Sequence, residues 1–277
     1  MVEKESSTGT SGNIPAAIIK NRKLVWSLGL NDFRNRFAGS VFGILWAFLQ
    51  PVVTILLFWF IFEFAMGAAS QGDTPFALWL TAGLVPWFFF SDALTSGTNV
   101  FYEYSYLVKK VVFRIEILPF VKVFSNLFVH AAFVLFMFIL YAIMGFMPGI
   151  AAVQVIYYSF AMICFVTSLV YFTSSICVFF RDISQMINIF MQVFMWMTPI
   201  MWNIDALSDR IPSWIVVILK LNPMFYIVQG YRDSMISGIW FTQRWMLSLY
   251  FWGITLLMYL IGTGVFKRLK GQFADVL

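Results

Sequence analysis

Long apolar runs alternate with short charged turns along almost the whole chain. The runs extend from Phe42 to Phe64, Phe76 to Phe101, Leu118 to Met144 and Val153 to Phe180, with two more from Ile187 to Met201 and from Trp245 to Phe266. A helix rises about 1.5 Å per residue, so roughly 20 apolar residues cross the hydrocarbon of a bilayer. The pattern predicts an all-α, polytopic membrane protein with six transmembrane helices, the fifth short unless it begins near Ile183. A further apolar stretch, Trp214 to Ile239, is interrupted by Lys220, Asn222, Pro223, Gly230, Arg232 and Asp233. It is too polar for a plain span and too apolar for a free loop. Two short re-entrant helices on the outer side, over about 206–240, fit both facts, because irregular backbone at membrane depth must pack against protein or line a wet cavity.

Ahead of the first run, Leu24, Leu28, Leu30, Phe33 and Phe37 recur at roughly helical spacing, with Arg22, Lys23, Asp32, Arg34 and Arg36 between them. That predicts an amphipathic interface helix over 20–38 on the inner membrane surface, a plain basic anchor being the simpler reading. Residues 1–19 show no apolar signal-peptide core and read as a disordered cytoplasmic tail. Residues 39–277 form the six-span domain.

Composition fixes the solvent: 61% of residues are hydrophobic and 11% charged, against roughly 25% charged in soluble domains. The surface must face lipid. A net charge of +5 raises the question of nucleic acid, but the basic residues sit at the ends of apolar runs rather than in one patch. They set topology. Lys20, Arg22, Lys23, Arg34 and Arg36 precede the first run, Lys109, Lys110 and Arg114 follow the second, Arg181 follows the fourth, and Lys267, Arg268 and Lys270 follow the last. The opposite segments, 65–75 and 145–152, carry none, which predicts that both termini are cytoplasmic. Cys164 and Cys177 would lie roughly 20 Å apart along one helix, too far for a disulfide.

Catalytic signatures are missing. The single histidine, His130, lies within the third run, where an interhelical hydrogen bond is the simpler reading than a ligand or relay. No lysine is followed by Ser or Thr, so the phosphate-binding G-x-x-x-x-G-K-[ST] pattern is absent and any ATP must be bound by another subunit. Glu63, Glu103, Glu116 and Lys122 lie near run ends within reach of headgroups. Asp92 is deeper, placed for an interhelical hydrogen bond or a substrate contact. Two short cytoplasmic turns, about 104–119 and 178–185, either dock a soluble partner or are ordinary charged loops. The first reads as a brief amphipathic helix ended by Pro119.

Several ordered segments resemble the permease subunits of ABC exporters for lipid-linked polysaccharides. The family pattern R-x-x-x-S-x-L-G-x-x-W-x-x-x-x-P is filled by Arg36, Ser40, Gly43, Trp46 and Pro51, with Phe42 in place of leucine. GLVPWFFFSDAL (Gly83 to Leu94), LVKKVVFRIEILP (Leu107 to Pro119), VFFRDISQMINIFMQVFMWMTPIMW (Val178 to Trp202) and LNPMFYIVQGYRDSMI (Leu221 to Ile236) follow. With the ending QFADVL, the last of these most resembles wall teichoic acid export permeases, and the whole is also similar to O-antigen export permeases.

The resemblance implies a homodimer in the cytoplasmic membrane of a bacterium, served by two cytoplasmic ATPase subunits that hold ATP and Mg. This chain would bind no cofactor, no metal and no nucleic acid, and would have no catalytic residue. Its partners would be a second copy, the ATPases, membrane lipid and a lipid-linked polymer such as teichoic acid on undecaprenyl diphosphate. Lys109, Lys110, Arg114, Arg181 and Asp182 would couple to the ATPases. Aromatic rings stack on sugar faces and tolerate sliding, which makes Trp46, Phe48, Trp59, Trp87, Phe88, Phe89, Trp196 and Trp202, with Asp92, candidates for the path. For any one of these residues, packing in the core or in the interfacial aromatic belt is the simpler reading, and the path is expected to use some of the set. Pro223, Tyr231, Arg232 and Asp233 are candidates for an outer gate, a structural ion pair being the alternative for the two charges. An O-antigen or capsular polysaccharide exporter, an ion-coupled secondary transporter and a membrane-embedded transferase remain as alternatives.

Overall fold

Without water to satisfy N–H and C=O groups, a chain in lipid must bond them within itself, and the helix does so locally. The computed structural model describes residues 14–36, 38–39, 42–65, 67, 74–110, 113–204 and 212–277. The expectations for residues 1–13, for Phe37 and Ser40, and for residues 206–211 at the start of the dipping segment lie outside the described residues. The helices are α1 (Ile14–Lys20), α2 (Arg22–Arg36), α3 (Leu45–Trp59), α4 (Phe76–Thr98), α5 (Val100–Glu103), α6 (Ser105–Val108), α7 (Leu118–Ile143), α8 (Gln154–Cys177), α9 (Asp182–Met197), α10 (Ser213–Lys220), α11 (Pro223–Arg232), α12 (Trp245–Leu269) and α13 (Phe273–Val276). Wider π-type turns extend α3 over Phe60–Ala65 and α11 over Asp233–Ser237.

Five helical stretches are long and apolar enough to cross a membrane: Leu45–Ala65, Phe76–Thr98, Ile115–Ile143, Ile150–Cys177 and Phe241–Val276. They match five of the six expected runs. The remaining run lies in α9, which starts at Asp182, next to Ile183, and has 16 residues. At roughly 24 Å it is shorter than the bilayer core, and Pro199 prevents its extension. The interrupted stretch forms α10 and α11, bent by 83°. Local chemistry makes that bend: Asn222 Oδ1 accepts from Met224 N–H at 2.9 Å, capping α11, and Pro223 supplies its first residue, where no N–H is needed.

α4 is the hub. Of its most apolar window 83% is buried, against 6% for α3, whose rings and aliphatic side chains remain on the outside. Buried hydroxyls on α4 return to their own backbone, Thr81 to Ala77 O at 2.7 Å and Thr98 to Leu94 O at 2.8 Å. Phe90 of α4 stacks on Phe165 of α8 with centroids 5.8 Å apart. α12 lies against α8 at Gly262, where a Cβ would stand 2.6 Å from the Ser168 carbonyl oxygen; only glycine permits that approach.

Two expectations are corrected. Helix α1 takes in residues 14–19 of the expected disordered tail, with Ile14 buried among Val100, Phe101, Leu118 and Phe273. Pro119 begins a helix instead of ending one, because it occupies the first turn of α7, where its missing N–H costs nothing. The segment expected at the interface is helical as α2, but its apolar and polar residues are poorly sorted, and it docks on α7 through Val25, Gly29 and Asp32 with Leu28 packed beside them. Trp26 and Phe33 close that contact against Phe128, at 5.9 and 5.3 Å.

Candidate functional site

The two basic turns come together at one end of the bundle. Tyr102, just past α4, donates its hydroxyl to Val178 O at 2.9 Å, and the Arg181 guanidinium lies 4.8 Å from the Tyr102 ring centroid. Asn99 Nδ2 donates to Ser184 Oγ at 2.8 Å. The same end gathers α1 and the C-terminal residues, Phe273 packing on Phe101 at 4.8 Å and Lys270 pairing with Glu116 at 2.8 Å. Helix α1 and the C-terminal residues therefore lie on the same side as the basic turns. Lys109, Lys110, Arg114, Arg181 and Asp182 are all exposed there.

Beside these turns stands a charge cluster that sequence reading assigned to headgroups. Lys122 is 7% exposed, its ammonium 2.9 Å from Asp32 Oδ1 and also bonded to Glu103. Tyr104 donates its hydroxyl to the same Asp32 oxygen at 2.7 Å. Burial, and then the Asp32 carboxylate, holds that phenol proton well above the ordinary tyrosine range. A buried lysine needs a paired carboxylate, and Lys122 has two. An ionisable residue between apolar neighbours was the available signal; its partner, 90 positions away in sequence, was not visible.

A second charged joint involves the motif arginine. Arg36 lies 3.5 Å from Asp92 Oδ2, and its Nη1 donates to Asn126 Oδ1 at 2.7 Å. Arg36, Trp46, Gln50, Phe88 and Asp92 line a cleft of about 380 Å³ between α3 and α4, and a narrower space continues past Phe88, Phe89 and Asn126 to His130. Of the expected path residues, this brings Trp46, Phe88 and Asp92 together. The others disperse: Trp87 and Phe89 are each 3% exposed and belong to the core, Phe48 packs on Phe133, and Trp59 lines a separate apolar groove with Ile55 and Leu140. Trp196 faces outward on α9, and Trp202 lines a cavity at the far end.

At that far end Arg232 and Asp233 do not pair with each other. Arg232 donates to Pro199 O at 2.7 Å, Ile200 O at 2.6 Å and Trp79 O at 3.4 Å, with its guanidinium carbon 3.4 Å from the Trp79 ring centroid. Its fork satisfies carbonyls of the non-helical chain just past α9. Asp233, fully buried, binds Arg244 through two oxygens and accepts from Gln229 at 3.0 Å. Tyr231 is fully buried between helices, its hydroxyl 2.6 Å from Ser159 Oγ and 3.0 Å from His130 Nε2. His130 is thus an interhelical joint, as its position in the run implied. Pro223 sits half-buried at the bend. Among the described residues no group of three or more His, Cys, Asp or Glu side chains is placed to hold a metal.

A bundle of long apolar helices, with a docked N-terminal helix and paired basic turns at one end, defines a polytopic membrane protein. The family model "ABC-2 type transporter" matches residues 23–236, and the chain belongs to that family of ABC transporter permeases. It is similar to the O-antigen export system permease protein RfbA of Klebsiella pneumoniae, 26% identical over 250 residues that cover 89% of this chain and 92% of that protein. The protein of the same name from Myxococcus xanthus is 27% identical over 211 residues, covering 76% and 79%.

Proposed function

We propose that this chain is the transmembrane subunit of an ATP-driven exporter that moves a lipid-linked cell-surface polymer across the cytoplasmic membrane of a bacterium. Two copies would form the membrane pathway, with two ATPase subunits supplying ATP and Mg. The observation that carries the reading is the joining of the second basic turn to the segment that leads into the first: Arg181 lies on Tyr102, and Asn99 bonds Ser184. A push on one turn is a push on both. From there the load can pass through Tyr104 and Lys122 to Asp32 on α2, and through Arg36 to Asp92 on α4. The positive side is the cytoplasmic side, which puts both termini inside and the bend between α10 and α11 outside.

The segments LNPMFYIVQGYRDSMI and QFADVL support wall teichoic acid on undecaprenyl diphosphate as cargo. The names of the Klebsiella and Myxococcus relatives favour a second reading, O-antigen. Reconstitution with the ATPase from the same cell separates them. Lipid-linked teichoic acid should raise ATP hydrolysis and appear inside inverted vesicles, while lipid-linked O-antigen should not. The opposite preference selects the second reading, and transport driven by an ion gradient without any ATPase overturns both.

A further inference from the structure

The described residues that line the cavity at the far end are cationic on balance. The cavity measures about 400 Å³ and lies between Pro199 to Ile204 after α9, the α10–α11 pair, Trp79 at the start of α4, and Arg244 ahead of α12. Lys220, Arg232 and Arg244 all reach its wall. Asp233 alone among the described carboxylates pairs with any of them, and it takes Arg244. Arg232 and Lys220 pair with no described carboxylate within salt-bridge range; Arg232 is held by carbonyl oxygens and an aromatic face, which satisfy its donors without cancelling its charge. Among the described residues of the wall and its partners, three cations stand against one carboxylate, an excess of positive charge that would attract an anion. The remaining wall is mixed: Gln229 offers a polar group, and Phe225, Ile204, Ile236 and Leu247 are apolar.

We propose that this cavity binds a phosphate or phosphodiester group carried by an amphiphile, on the side of the bundle opposite the basic turns. The ammonium of Lys220, exposed at the end of α10, and the guanidinium of Arg244 would contact the phosphoryl oxygens, since a flexible ammonium and a planar fork together suit that geometry. Arg232 contributes its field from behind, because its donors are already engaged. The apolar residues would receive the adjoining chain. Two sources offer this chemistry, an anionic phospholipid headgroup and a phosphate of the exported polymer or its carrier. The second source rests on the export reading above; the first does not.

The site is tested with the full-length protein in phosphatidylcholine nanodiscs, without ATP or any ATPase, so that its failure is distinct from failure of the export reading. A fluorescent poly(glycerol phosphate) oligomer is titrated by anisotropy, with a neutral dextran oligomer as control. The phosphodiester oligomer should bind, more weakly as salt is raised, and the dextran should not. Lys220→Glu, at an exposed position, should weaken binding at least tenfold, and Lys220→Gln by less. Arg244→Gln should weaken it as well, provided that its thermal unfolding shows it folded. If phosphatidylglycerol in the nanodiscs abolishes oligomer binding to the wild type at a salt concentration that screens the disc surface, the lipid headgroup is the occupant. If oligomer binding persists, the polymer phosphate is. Equal binding by wild type and Lys220→Glu, binding of dextran as tight as that of the phosphodiester, or no binding of either phosphate source overturns the proposal.

Discussion

The Lys122 ammonium and the Asp32 carboxylate, 2.9 Å apart and both nearly excluded from solvent, pin α2 onto α7. Removing one member of a buried pair strands the other, at a cost of about 3–5 kcal/mol, whereas removing both often costs little. Lys122→Met should therefore lower the unfolding midpoint in detergent sharply, and the Asp32→Asn/Lys122→Met double variant should recover most of the loss. Glu103 is more exposed than Asp32, so Glu103→Gln should cost less than Asp32→Asn. Additive losses in the double variant would show that the two side chains do not act as a pair.

Arg232 should tolerate no conservative replacement. Lysine keeps the charge but places one ammonium where the guanidinium serves Pro199 O and Ile200 O with separate nitrogens. Each hydrogen bond to a charged group is worth about 1.5–3 kcal/mol, so Arg232→Lys should destabilise by about that amount and loosen the chain after α9. Limited proteolysis near Trp202, from the side that holds the bend, reads the loosening directly. An unchanged unfolding midpoint with unchanged proteolysis would remove Arg232 from its role as a clamp.

The spans were legible because lipid imposes one rule on every residue in them, and a run of apolar positions meets that rule whatever it packs against. The bend was legible too, from Asn222, Pro223 and the charges beyond them. Facing was not. Trp87, Phe88 and Phe89 are consecutive and chemically alike, yet successive residues on a helix turn by about 100°, so Phe88 lines the cleft while its two neighbours enter the core. Partnership was equally hidden. Arg232 and Asp233 are adjacent and opposite in charge, but one bonds carbonyls from α4 and the end of α9, and the other binds Arg244. Pro119 misled because proline marks both the stop of one helix and the first turn of the next.

Gly230 gives a purely steric test of how α11 meets α8. A Cβ at that position would stand 2.1 Å from Cε1 of Tyr158, a fully buried side chain. Overpacking of this kind costs about 1–3 kcal/mol. Gly230→Ala should lower the unfolding midpoint, and Tyr158→Leu added to it should restore part of the loss by vacating the ring's space. A Gly230→Ala variant as stable as the wild type would mean that α11 sits farther from α8 than described.

The joint between the turns predicts coupling without a stability cost. Arg181 is exposed and rests on Tyr102, whose hydroxyl ties α5 to the end of α8 through Val178 O. An exposed cation–π contact is worth about 0.5–1 kcal/mol, so Arg181→Glu should unfold at nearly the wild-type midpoint. If force from an ATPase enters at these turns, the same variant should hydrolyse ATP with its partner but export less polymer per ATP. Tyr102→Ala should uncouple at least as much, and the two changes together should do no more than Tyr102→Ala alone, since that change removes the contact with Arg181 along with the bond to Val178 O. Deletion of 109–114 removes the neighbouring basic turn and should uncouple more severely while leaving the protein in the membrane. Export per ATP that stays at the wild-type value in Arg181→Glu and in the deletion would place the coupling elsewhere.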